Sequence, residues 1–89
     1  MTTLFVRQTV ADYKAWRKVY DDFDSTRKSL GVTAAAVYQA ADNPNDITVT
    51  HDFATAGAAQ SFGKSPELKQ AMQKAGVVGA PTIWTTNKV

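Results

Sequence analysis

Cysteine is absent from this chain of 89 residues, and histidine occurs once, as His51. Without thiols there is no disulfide framework and no thiolate metal site, and one imidazole is too few for a usual zinc or copper centre. We therefore expect no metal. Charge of one sign is scarce as well: ten lysines and arginines against eight aspartates and glutamates leave a formal charge of +2. These charges are scattered and are not interleaved with aromatics along a strand, which argues against a nucleic-acid surface. Long apolar runs are missing, none approaching the roughly 18–20 residues of a membrane span. No basic leader precedes an apolar segment at the N-terminus, so the expectation is a cytoplasmic protein without signal peptide or membrane anchor. Gly57, Gly63, Gly76 and Gly79 read as turn and capping residues, not as a phosphate-binding loop. Asp21-Asp22-x-Asp24 lacks calcium-loop spacing. No cofactor is expected.

What remains is a chain that is 44% hydrophobic and 20% charged, the composition of a globular domain. Its length supports one domain, residues 1–89, near the lower end of what folds alone. With no disulfide to reinforce so small a core, self-association is the device left to bury more surface.

Thr3 to Val10 alternates, with Leu4, Val6, Gln8 and Val10 on one face and Phe5, Arg7 and Thr9 on the other, a period-two strand. Asp12 offers an N-cap, and Tyr13, Trp16, Val19, Tyr20, Phe23 and Leu30 recur at helical spacing up to a C-cap at Gly31. Lys18–Asp22 and Asp24–Lys28 are spaced to pair along that helix. Val32 to Ala41 is an alanine-rich second strand, and residues 42–46 (DNPND) form a dense turn cluster. Ile47, Val49, His51 and Phe53 alternate with Thr48, Thr50 and Asp52 in a third strand, completing a hairpin. Thr55 caps a short helix that Gly63 interrupts. Ser65-Pro66-Glu67 restarts it with serine at the N-cap, proline at the first helical position and an acid in the first turn. Gly76 closes that helix, Gly79-Ala80-Pro81 reads as a turn, and Thr82 to Asn87 is the last strand.

The order β-α-β-β-α-β, with a split second helix, predicts an α+β ferredoxin-like domain: a four-stranded antiparallel sheet with its helices on one face. Placing Leu4, Val6, Ile47 and Val49 under the helices leaves Phe5, Arg7, Thr48, Thr50, Asp52 and Trp84 on the open face. Aromatics gathered on one sheet face suggest a partner surface, and two such sheets face to face make a homodimer. The competing reading is a monomer with a wet, threonine-rich face.

Tyr13-x-x-Trp16, the turn at residues 42–46, His51-x-Phe53 and Ser65-Pro66-Glu67-Leu68 together resemble the dimeric α/β-barrel superfamily. More narrowly, the chain is similar to small antibiotic-biosynthesis-monooxygenase-like and cyclase-like bacterial proteins. The resemblance implies a dimer and a ligand space between sheet and helices in each subunit. It also implies an activity drawn from a range that includes cofactor-independent monooxygenases, cyclases, isomerase-like and heme-degrading enzymes, and stress-induced proteins.

His51 shares the face of Ile47, Val49 and Phe53, so it points into that space, where an imidazole can act as general base or acid. The plainer alternative is a histidine hydrogen-bonded at a strand end with no ligand. Trp16, Tyr20 and Tyr13, with Phe53, Phe62 and Met72, are the candidate walls of a substrate pocket, or simply core. Tyr38 and Trp84 suit dimer packing. Arg7 and Asp52 lie on neighbouring strands and are expected to form a cross-strand ion pair. The functional expectation is a cofactor-independent monooxygenase or cyclase-like enzyme acting on a small apolar or aromatic metabolite. Its alternative is a non-catalytic dimer that binds a small molecule or serves a stress role.

Overall fold

Alternation builds the first strand. In the computed structural model, which describes residues 1–89, β1 (Thr2–Val10) buries Thr2, Leu4, Val6, Gln8 and Val10 and turns Thr3, Phe5, Arg7 and Thr9 the other way. Asp12 then caps α1 (Tyr13–Asp22), its carboxylate accepting from the Ala15 amide at 3.3 Å. The single helix expected from the apolar stripe is divided at Phe23, whose N–H is shared between the Val19 and Tyr20 carbonyls at 3.1 and 3.2 Å. That shared bond tightens the last turn of α1, and α2 (Asp24–Ser29) follows. At its end Gly31 takes φ +100°, and the Gly31 and Val32 amides reach back to Lys28 and Arg27, a Schellman closure.

β2 (Ala34–Ala40) and β3 (Asn43–Phe53) form the hairpin. The turn is shorter than the polar cluster suggests: only Ala41 and Asp42 lie outside the strands. The asparagines that signal a turn instead satisfy backbone groups. Asn43 Oδ1 accepts from the Asn45 amide at 3.0 Å, and Asn45 Oδ1 accepts from the Tyr13 amide at 3.2 Å, tying α1 to the hairpin. Thr55 caps α3 (Ala56–Gly63), and Ser65 caps α4 (Pro66–Lys74). Ser65 Oγ donates to the Phe62 carbonyl at 2.8 Å and accepts from the Leu68 amide at 3.2 Å, so one hydroxyl joins the two helices. Ser65→Ala should cost about 1 kcal/mol, lowering the melting temperature by roughly 4–8 °C in a domain of this size. Calorimetry of the variant checks it.

β4 (Val77–Asn87) is one strand, not a turn followed by a strand. Gly79, Ala80 and Pro81 stand opposite Gln8 as a bulge, between the pairs Thr9–Val78 and Arg7–Thr82, with Gly79 at φ +74°. The sheet order is β2-β3-β1-β4, antiparallel throughout, which is the ferredoxin-like arrangement. Between sheet and helices lie two apolar clusters. Leu4, Val6, Val32, Phe53, Ala59, Phe62 and Leu68 make one; Val10, Trp16, Ile47, Val49 and Ala75 make the other.

The register groups the other face into cross-sheet rows. Ala36, Thr50, Phe5 and Trp84 form one row, and Tyr38, Thr48, Arg7 and Thr82 the next. Phe5 and Trp84 stack almost parallel, ring centroids 5.1 Å apart. Arg7 does not pair with Asp52. It lies opposite Thr48, and its Nε and Nη2 donate to the two Asp46 carboxylate oxygens, diagonal to it, at 3.1 and 2.7 Å. The Asp52 carboxylate lies opposite Thr3 and accepts from the Thr3 hydroxyl at 2.7 Å. The Arg7 hydrogen bonds hold the Asp46 carboxyl below its ordinary range. On the helices Asp24–Lys28 pairs as expected, while Arg17–Asp21 forms in place of Lys18–Asp22. No helix is long and apolar enough to cross a membrane.

Candidate active site

β3 carries His51 to the buried side of the sheet between Val49 and Phe53, in register with Leu4 on β1 and Ala35 on β2. Its ring tilts against Phe62 with centroids 4.9 Å apart, and its Nδ1 is buried without a hydrogen-bond partner. Burial pushes the His51 pKa down to about 4; the nearby Arg27 charge acts in the same direction, against smaller opposing effects from the Leu4 backbone and Asp52. The imidazole is therefore neutral around pH 7.

Two further polar side chains reach the same space, and both went unassigned in the sequence reading. Gln8 takes the fourth inward position of β1 after Thr2, Leu4 and Val6, and its Oε1 is also buried without a partner. Arg27 is 4% exposed. Its Nη1 donates to the Tyr20 carbonyl at 2.6 Å, and its guanidinium carbon sits 3.8 Å from the Tyr20 ring centroid. Its only acid is Asp24 at 3.4 Å, whose side chain is 55% exposed. The signal for both was position: Gln8 interrupts an apolar alternation, and Arg27 continues the spacing of Trp16, Tyr20 and Phe23.

Trp16 is buried on α1 and stacks with Tyr20 at 5.0 Å and Tyr13 at 5.9 Å. Burial pushes the Tyr20 phenol above its ordinary pKa, against the pull of Arg27, so it remains a neutral hydroxyl. Between these groups is a cavity of about 40 Å³, partly open and mostly apolar. Gln8, Arg27 and His51 line it together with Val6, Val49, Trp16, Val19, Tyr20, Phe23, Leu68, Ala71, Met72 and Ala75.

Of the walls expected from the sequence, Trp16, Tyr20 and Met72 line this space; Tyr13, Phe53 and Phe62 do not. Tyr13 sits at the first turn of α1, on the far side of the Trp16 ring from Tyr20 in the stack. Phe53 lies one inward position beyond His51, and Phe62 packs on it at 5.4 Å, so both fill the neighbouring apolar cluster. Phe62 is the support behind His51. No group of three or more histidine or carboxylate side chains converges to hold a metal ion.

No protein-family model matches the chain, and no curated protein matches its sequence. Solved structures do match its shape. One, described as an antibiotic biosynthesis monooxygenase, superposes with a TM-score of 0.77 at 11% identity, covering 100% of this chain and 99% of that one. The fold is that of the antibiotic biosynthesis monooxygenases. A second match is SnoaB, a cofactor-independent oxygenase from Streptomyces nogalater, at TM-score 0.74 and 13% identity over 99% of this chain and 94% of its own. A protein of unknown function from Nitrosomonas europaea also matches, at TM-score 0.74 and 18% identity, over 96% and 85% of the two chains. At these identities the monooxygenase likeness is one of backbone, and the chemistry has to be argued from this chain's own residues.

Proposed function

We propose that this chain is a homodimeric, cofactor-independent oxygenase of the monooxygenase type, acting on a small, electron-rich, largely apolar or aromatic substrate. The observation that carries the proposal is a neutral, unpartnered His51 facing an otherwise apolar cleft walled by Trp16, Tyr20 and Met72. An imidazole so placed accepts a proton from an acidic O–H or C–H, and the electron-rich anion left behind can reduce dioxygen directly. For a methylene flanked by aromatic rings the balance closes: CH₂ plus O₂ gives C=O plus H₂O. The protein contributes positioning, exclusion of water and the proton transfer.

The cavity at about 40 Å³ is smaller than the roughly 150 Å³ that holds a benzene ring in an apolar core. A ring must therefore enter through the open side, displacing the half-buried, unbranched Met72 side chain. The same small volume is what favours the second reading, a dimer that binds a small molecule without turning it over.

Oxygen uptake, measured with an electrode against a panel of hydroquinones, anthrones and 1,3-diketones, tests the first reading. Turnover in the wild type should fall by roughly 10²–10⁴-fold in His51→Ala, with the dimer unchanged by light scattering. Equal rates in that variant remove His51 from the mechanism. No uptake with any of these compounds leaves the binding protein.

A further inference from the structure

Three polar side chains, each more than nine-tenths buried, converge on one apolar cavity with their valences unfilled. Gln8 Oε1 and His51 Nδ1 have no partner, and Arg27 carries a full charge whose one acid lies at 3.4 Å and mostly in solvent. Buried polar atoms are ordinarily paired, and a buried cation without a close counter-ion is costly. A fold that held these groups only for packing would do better with apolar side chains of the same size. The unfilled valences describe the missing occupant: it brings negative charge to Arg27 and an oxygen that accepts from His51 Nδ1–H and, with the Gln8 amide turned to present Nε2, from Gln8.

We propose that Arg27, Gln8 and His51 form an oxyanion pocket that binds phenols and enols in their ionised form. This rests on the reading of the cavity as the ligand site and specifies which part of the ligand goes where. The 40 Å³ space admits an oxygen and its carbon, while the ring lies toward the open side, against the half-buried lining residues Tyr20 and Met72. The Arg27 guanidinium, held against the Tyr20 ring and carbonyl, is fixed before the ligand arrives and needs little reorganisation to meet the oxyanion. His51 offers Nδ1 as donor in the tautomer protonated there, and Gln8 can present its amide from either end. The ligand O–H proton passes to His51 Nδ1 while the ring gives up its Nε2 proton, ultimately to bulk water, and the resulting Nδ1–H donates to the anion held opposite Arg27. The other titratable groups nearby are Tyr20 and Asp24 on the helices and Asp52 across the sheet; the Asp24 side chain is more than half exposed. For an oxygenase the consequence is direct, because the ionised substrate is the form that gives up an electron to dioxygen.

The test is anaerobic and needs no turnover. 4-Nitrophenol, whose anion alone is yellow, is titrated into the protein about one pH unit below the phenol's own pKa, beside the neutral isostere 4-nitroanisole. Yellow colour should appear on binding, with nitrophenol held about tenfold or more tightly than nitroanisole, the factor expected of a charged hydrogen bond. Arg27→Met should abolish both the colour and the preference. Should that variant fail to fold, Gln8→Leu, which removes an orphaned polar group, keeps the fold and should reduce the preference severalfold. Equal binding of the two probes, binding of nitrophenol in its colourless form, or no binding of either overturns the proposal. A protein that binds the yellow anion yet consumes no oxygen with any substrate keeps the oxyanion pocket and loses the oxygenase.

Discussion

In the homodimer proposed above, Trp84→Asp should leave a monomer at micromolar concentration, halving the mass measured by light scattering. The open face of the sheet presents Phe5 and Trp84 stacked in parallel, with Trp84 still 40% exposed and Tyr38, in the next row, 57% exposed. Around them Thr48, Thr50 and Thr82 offer short side chains that let a second sheet approach closely. Isolated apolar residues on a surface need no explanation, but a stacked aromatic pair joining β1 to the edge strand β4 on the open face does. In a twofold interface every substitution counts twice. Losing the indole and placing an unpaired carboxylate there costs on the order of 3 kcal/mol per protomer, so the dissociation constant should rise by about 10⁴-fold. Arg7→Ala in the next row of the same face should do far less, since its partner Asp46 is on its own chain and the Arg7 side chain is mostly exposed. A wild-type monomer, or a dimeric Trp84→Asp, would show that this face is not where two copies meet.

Most of the fold was legible in the sequence because its signals are local. The caps at Asp12, Thr55 and Ser65, the left-handed Gly31, and the alternation of β1 and β3 each depend on a few neighbouring residues, and each is where the pattern put it. The division of the first helix at Phe23 and the pairing of Arg17 with Asp21 are local departures, but the larger misreadings depended on residues far apart in the chain. The polar run 42–46 looks like a turn until Asn45 is seen capping the Tyr13 amide, a contact 32 residues away. Gly79-Ala80-Pro81 looks like a turn until β1 is laid beside it, when the same residues become a bulge inside one strand. Arg7 was matched to the wrong aspartate because opposite charges on neighbouring strands are compatible with several registers, and only the register chooses Asp46. The candidate site shows the same division. His51 could be placed by alternation alone. Gln8 falls on the inward face of β1 by alternation, yet amide and guanidinium side chains are ordinarily exposed, so neither it nor Arg27 stood out as a site residue, and the burial of Arg27 is set by how the helix and the sheet meet.

Lowering the pH from 7 to about 4.5 should destabilise the free protein steeply, and His51 is the reason. Its folded pKa is about 4, against an ordinary value of 6.5. The unfolded chain therefore takes up a proton, as the pH falls through 6.5, that the folded chain refuses until about 4. Stability from this group is complete above pH 6.5 and is lost progressively down to pH 4. The loss amounts to about 3 kcal/mol, since each pKa unit is worth roughly 1.4. Against the roughly 5–15 kcal/mol of a typical domain that is a large fraction. The attribution is clean because the chain has one histidine and no cysteine, so no other side chain ordinarily titrates in the upper part of this window. Asp24 and Asp46, both held below their ordinary carboxylate value of 3.8, add their share only at lower pH. Urea denaturation at a series of pH values should thus show a slope between pH 6.5 and 4.5 in the wild type that is absent in His51→Gln. A wild-type slope no steeper than that of His51→Gln would mean that the imidazole is solvated in the folded state, and a solvated His51 could not be the buried group on which the site is built.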